Sequence, residues 1–129
     1  MVLDSSALIA ILTDERTADN LLASIGADPV RLVSAGSVLE VSLVVMGRYG
    51  IAAEPLVDRL LRDLRATVVA FDEEQLAIAR DAGARFGRGR RGAALNFGDC
   101  FAYALAIARS EPLLFVGDDF ALTDVARVL

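Results

Sequence analysis

Histidine, lysine and tryptophan are missing from the 129 residues, and cysteine occurs once. Each absence excludes something. Without histidine there is no Ser-His-Asp triad and no Cys-His nucleophile pair, and the usual zinc ligand sets lose their common nitrogen donor. A lone cysteine, Cys100, makes no intrachain disulfide and suits a reducing cytoplasm. Set among apolar neighbours, it reads as a small buried hydrophobe. No apolar run reaches the roughly 18 residues of a membrane helix. No basic segment precedes an apolar one at the start, so no signal peptide is expected. The net charge of −5 weighs against general affinity for nucleic acid. That total is a weak guide, because a metal ion cancels clustered carboxylates and local basic patches outweigh the sum.

What is present is apolar. The chain is 55% hydrophobic, with a mean hydropathy of +0.50, so a generous core is expected and disorder is not. The length suits one domain, residues 1–129. Met1-Val2-Leu3 reads as a buried strand that stops at Asp4. A short apolar helix, Ala7 to Leu12, follows, capped by Ser5 or Ser6. Asp14 caps a helix from about Glu15 to Ile25, and Gly26 to Pro29 turn the chain. Arg31 to Ser34 form a second strand. A long helix opens at Ser37 and runs to about Tyr49, where Gly50 ends it. Pro55 starts another helix, and Thr67 to Phe71 form a third strand. Asp72-Glu73-Glu74 open a helix to about Phe86, which leads into the basic stretch Arg85 to Gly92. Leu113 to Val116 form a fourth strand, and Val125 to Leu129 add a short edge strand. Strands that alternate with helices imply an α/β domain with a mainly parallel sheet. Such sheets bind ligands at the carboxyl ends of their strands.

Four acids stand out against that frame. From Cys100 to Ala108 only the Tyr103 hydroxyl is polar, so this helix lies inside the domain. Asn96 is a good N-cap, which puts Asp99 in the first turn. The helix N-terminus favours a negative charge there, whereas burial opposes one that lacks partners. The partner is an arginine, a backbone donor or a metal ion, and a cap alone accounts for Asp99 taken singly. Asp4 and the Asp118-Asp119 pair lie at the carboxyl ends of two strands. Glu40 has a local explanation, because Ser37-x-x-Glu40 is the pattern of a capping box. The functional alternative points Glu40 into the cleft with the aspartates. Converging carboxylates repel unless a divalent cation lies between them, and hard oxygen ligands select Mg²⁺ or Mn²⁺. Such an ion acidifies water and offsets charge on a phosphoryl oxygen.

In order along the chain, Met1-Val2-Leu3-Asp4-Ser5-Ser6-Ala7-Leu8, Glu40 in a long helix, Asn96-x-x-Asp99-Cys100 and a late Asp119-Phe120 resemble the PIN-domain ribonucleases. More narrowly they resemble the VapC-type toxins of toxin–antitoxin pairs. The resemblance spans nearly the whole chain. It implies a three-layer α/β/α sandwich with a central, mainly parallel sheet, and RNA cleavage dependent on Mg²⁺ or Mn²⁺. It further implies a homodimer and inhibition by a cognate antitoxin protein. By position, Asp4 and Asp99 would be the main metal ligands. Glu40 would serve a second metal or the water, and Asp119 would be the fourth acid. Ser6 and Asn96 would hydrogen-bond around them. Phe115 and Gly117 stand where the family often has Thr and then Asn or Asp, so Asp118 competes with Asp119 for the fourth place.

Rival folds fit less well. A phosphoreceiver domain needs a lysine, and a haloacid-dehalogenase-type phosphatase needs Asp-x-Asp where this chain has Asp4-Ser5-Ser6. The alternative from another class is a catalytically silent module of the same fold that binds RNA or a protein. Two surface expectations complete the picture. Arg85, Arg88, Arg90 and Arg91, set among glycines, would hold RNA phosphates. Apolar helix faces, including Val45, Met46 and Tyr49, would form the dimer.

Overall fold

The computed structural model of the chain describes residues 1–87, 89 and 94–129. Four strands, β1 (Val2–Leu3), β2 (Leu32–Ser34), β3 (Thr67–Val69) and β4 (Leu113–Leu114), form one sheet in the order β3-β2-β1-β4. Every pairing is parallel, with Val2 opposite both Leu32 and Leu113. Among the described residues six α-helices accompany them, α1 (Ser5–Leu12), α2 (Ala18–Ala27), α3 (Ala35–Tyr49), α4 (Pro55–Asp63), α5 (Glu73–Phe86) and α6 (Phe97–Arg109), with a short 3-10 helix, Ile51–Ala53, between α3 and α4. The order places β1 in the centre, with its connection leaving toward β2 while β4 pairs on its other side. This is a topological switch point, where the loops after β1 and β4 part and leave a crevice.

Alternation along the strands builds a core on each face of the sheet. Leu3, Val33 and Leu114 join one apolar cluster with residues of α1 to α4. Val2, Leu113 and Phe115 join the other with residues of α5 and α6. The result is the expected three-layer α/β/α sandwich. Each fully buried Leu, Val or Phe removes from water a surface contributing roughly 1.5–3 kcal/mol. Among the described residues no helix is long and apolar enough to cross a membrane.

The helix starts differ from the sequence expectation, and each difference has a local cause. The cap of α1 is Asp4 itself, whose side chain accepts from the Ser6 amide, so neither serine is needed for it. Helix α2 begins only at Ala18, because Asp14 sits at φ +52° and turns the chain instead. Helix α3 begins at Ala35 with Ser34 as its cap. Ser37 is therefore inside the helix and no capping box joins it to Glu40. Gly50 does end α3, at φ +88°. Strands β3 and β4 stop at Val69 and Leu114, and the C-terminal segment adds one parallel bridge, Leu113 to Arg127, in place of a strand.

Other expectations concern side chains. Val45 is buried in the first core and is excluded from any dimer surface, whereas Tyr49 is exposed. Cys100 is half-buried, its thiol donating to the Asn96 carbonyl. Burial and the nearby Asp99 charge push that thiol up, away from reactivity. Arg85 belongs to the end of α5, where it is already engaged. It donates to Asp81, to Asp124 and to the Tyr103 hydroxyl. Arg88, Arg90 and Arg91, the rest of the expected basic surface, lie outside the described residues.

Candidate active site

Asp4 leaves the end of β1 and turns into α1. It is 2% exposed. One carboxylate oxygen, Oδ2, accepts from the Ser6 amide at 2.9 Å and from the Ser6 hydroxyl. The same Ser6 oxygen accepts from the Val116 amide at 3.0 Å, so Ser6 ties the end of β1 to the chain leaving β4. Oδ1 is buried with no hydrogen-bond partner. Burial pushes the Asp4 carboxyl up to about 6, against the lowering effect of Ser6, and the charge of Glu40 adds to the rise.

Asp99 sits at the third position of α6. Asn96 and Asp99 form a reciprocal capping box: the Asp99 amide donates to Asn96 Oδ1, and the Asn96 amide donates to Asp99 Oδ2, each at 2.9 Å. Asp99 is nevertheless buried, and burial pushes its carboxyl up to about 7. The Asn96 hydrogen bond opposes this, while the charges of Asp4, Asp119 and Glu40 each raise it further. Asp4, Glu40 and Asp119 thus all lie within electrostatic reach of Asp99. Asp119 is exposed, just after β4, and Asp118 is not among the principal groups that perturb either buried carboxyl.

Glu40 comes from the second turn of α3 and leans on the start of α6. A Cβ placed on Gly98 would lie 1.6 Å from Glu40 Oε2, so the carboxylate occupies the space that a side chain at 98 would fill. The positive end of the α6 dipole faces this region. Two residues at the site were given no place in it by the sequence reading. Gly98 is one; its only local signal is a glycine within the first turn of an otherwise regular helix. The other is Ser37, read from the sequence as a helix cap, which lies one turn before Glu40 with its hydroxyl buried without a partner.

The donor set is all oxygen, and one of its buried oxygens, Asp4 Oδ1, has no hydrogen-bond partner. Among the described residues, no group of three or more His, Cys, Asp and Glu side chains is placed to hold a metal ion by itself. The all-oxygen chemistry of the two buried carboxyls is that of a hard-cation site completed by other ligands. It fits Mg²⁺ or Mn²⁺, since Mg²⁺ keeps several waters and takes one or two protein carboxylates together with substrate phosphate.

Comparison with known proteins bears on the same geometry. A model of the PIN domain family matches residues 1–126. The chain is 48% identical over 128 residues to a Ribonuclease VapC of Mycolicibacterium smegmatis, covering 99% of each chain. It is 44% identical to Ribonuclease VapC30 of Mycobacterium tuberculosis, covering 99% of this chain and 98% of that one. Among solved structures it resembles VapC20 of Mycobacterium tuberculosis, described as a sarcin-ricin loop cleaving toxin. There the TM-score is 0.78 at 14% identity, over 97% of this chain and 95% of that one. It also resembles VapBC2 of Rickettsia felis, solved with a DNA fragment from its promoter, at TM-score 0.75 and 15% identity, over 98% and 94%.

Proposed function

We propose that this chain, which belongs to the PIN-domain family and within it to the VapC ribonucleases, is the endoribonuclease toxin of a toxin–antitoxin pair and cuts RNA at Asp4, Glu40, Asp99 and Asp119 with a divalent cation. The observation that carries the site assignment is the pair of buried carboxyls, Asp4 and Asp99, both pushed well above the ordinary carboxylate range at the switch point of a parallel sheet. Burial of two acids that repel one another costs stability, and a cation between them removes that cost.

Asp4 and Asp99 are the residues that would hold Mg²⁺ or Mn²⁺. When bound, such an ion supplies an acidified water and offsets charge on a phosphoryl oxygen. The protein does the positioning. Ser6 and Asn96 each occupy one oxygen of the neighbouring carboxylate, which fixes its rotamer and aims the other oxygen. Glu40, seated on Gly98, would accept a proton from the attacking water. Asp119, at the exposed edge, would add negative charge to help hold a second cation or a water. No protein nucleophile is needed, in keeping with the absence of histidine. RNA as substrate, a homodimer and a cognate antitoxin as inhibitor are parts of the same proposal, supported by the names of the relatives and by structural neighbours that are toxin–antitoxin complexes.

The test is cleavage of RNA by purified protein after chelation and after return of Mg²⁺ or Mn²⁺, with Asp4→Asn and Asp99→Asn as controls. Cleavage that persists in excess chelator, or in both variants, rejects the site assignment.

A further inference from the structure

Two of the acids belong to different helices, and the spacing of those helices is set by a contact outside the acid cluster. Helix α3 carries Glu40, and α6 carries Asp99. The two helices interlock, each giving a glycine to a side chain of the other. Glu40 occupies the space that a Cβ on Gly98 would fill, and the Phe101 ring occupies the space that a Cβ on Gly36 would fill. Gly36 lies one turn before Glu40 on α3, and Gly98 lies one turn before Phe101 on α6, so each helix presents its pair on one face. Glycine allows this close approach because no side chain stands in the way. The distance between packed helices then depends on the side chains at the contact, which here means Phe101 and Glu40.

The Phe101 ring is braced on its other sides. It meets Phe71, two residues beyond β3, edge to face with the ring centroids 4.9 Å apart, and Phe97, one turn earlier on α6, at 5.0 Å. Edge-to-face contact is a geometry that aromatic pairs favour. Filling the interior does not account for this ring. Phe101 is half-buried and joins neither core cluster of the described residues. Its backing by two aromatic rings and its seat on the α3 backbone are those of a spacer.

We infer that Phe101 is a positioning residue of the acid site: seated on Gly36, it is the wedge that sets how far α3 stands from α6, and so where Glu40 reaches relative to Asp99. This rests on the proposed nuclease reading and adds what fixes the spacing of its acids. The linkage is short at both ends. Asp99 precedes Phe101 by two residues on one helix, and Glu40 follows Gly36 by four on the other. Asp4 and Asp99 have their own supports in Ser6 and Asn96. A change at Phe101 therefore moves the proton acceptor and leaves the cation ligands in place. A misplacement of about 1 Å can cost on the order of a hundredfold in rate.

The experiment compares wild type with Phe101→Leu, Gly36→Ala and the double variant, each confirmed folded by circular dichroism. Phe101→Leu removes the wedge and lets α3 close on α6. Gly36→Ala adds a methyl under the ring and drives the helices apart. Each should lower kcat by about tenfold or more, measured on a fluorogenic RNA oligonucleotide that the wild type cuts, with KM little changed. In each, Mn²⁺ should raise the melting temperature as much as in wild type. In the double variant the flexible leucine gives way to the new methyl, the two displacements offset each other, and kcat should exceed that of either single variant by about threefold or more. Wild-type kcat in a folded Phe101→Leu, or losses that add in the double variant, overturn the inference and leave the nuclease reading standing. A metal response lost together with cleavage also overturns it, because the wedge would then hold the ligands and not Glu40. Should Phe101→Leu fail to fold, Gly36→Ala carries the test: full kcat overturns the inference, and a loss of kcat with the metal response kept supports it. Wild type that cuts no RNA with Mg²⁺ or Mn²⁺ overturns the nuclease reading, and this inference with it.

Discussion

Asp99→Asn should make the metal-free protein more stable, although it removes a residue assigned to the site. The Asn96 amide keeps its acceptor, because the new amide oxygen replaces Oδ2 in the capping box. What disappears is a buried charge. The Asp99 carboxyl stands at about 7 in the fold against an ordinary 3.8. At ~1.4 kcal/mol per tenfold change in acidity, that difference amounts to roughly 4 kcal/mol. Local relaxation and water reduce it, so about 2 kcal/mol is a working figure, or a rise on the order of 5–10 °C for a chain of this length. The sign follows from proton binding. Between about pH 4 and 7 the unfolded chain has released its proton while folded Asp99 keeps it, so wild-type stability falls as pH rises and levels off above 7. The variant lacks that slope, apart from the part due to Asp4 between about 4 and 6. The melting curves should therefore agree near pH 4 and separate by pH 8. They should be measured by circular dichroism in excess chelator. Adding Mn²⁺ should then raise the wild-type transition, since the ion binds only the folded state, and raise the variant's far less. Equal melting temperatures at pH 8, or equal responses to Mn²⁺, would refute the reasoning.

Glu40→Gln should keep the fold, since no capping box depends on Glu40, and should lower the RNA cleavage rate by at least a hundredfold; a folded, fully active variant would remove Glu40 from the site. Gly98→Ala places a Cβ on the Glu40 carboxylate, whose flexible end can swing aside, so the melting temperature should hold within a few degrees while cleavage drops about tenfold or more; unchanged cleavage would mean that the contact positions nothing. Tyr103→Phe removes the hydroxyl that donates to Asp124 and accepts from Arg85, which should cost about 1–2 kcal/mol in thermal unfolding and leave cleavage intact; a matching loss of cleavage would tie this network to the site.

The elements were legible where apolar pattern and punctuation agreed. Val2 and Leu3 are a short apolar run cut off by Asp4, and they became the central strand. Pro55 opened α4, Asp72 capped α5 and Asn96 capped α6, as their local chemistry demands. Starts failed where several residues could serve as a cap. Asp4, Ser5 and Ser6 are all competent N-caps, and the choice fell on Asp4 because β1 delivers it in extended conformation. Likewise Ser34 and Ser37 can each cap α3, and the end of β2 selects Ser34. These choices depend on where a strand stops in a sheet, which no window of a few residues contains.

The same limit explains the candidate site. Asp4 and Asp99 could be singled out because each combines a carboxylate with a local reason to be buried. Glu40 could not be separated from a capping box until the start of α3 was known, and its seat on Gly98 joins residues far apart in the chain. Asp99 shows why a local explanation and a functional one need not compete. A carboxylate has two oxygens. In Asp99, Oδ2 accepts from the Asn96 amide and closes the cap, which fixes the side chain while leaving the other oxygen for the cleft. Asp4 repeats the arrangement, with Oδ2 held by Ser6 and Oδ1 buried without a partner. The cap is the device that preorganises each acid. A sequence pattern that announces a helix start can therefore be the very feature that fixes a ligand, provided the fold brings a second such acid to the same crevice.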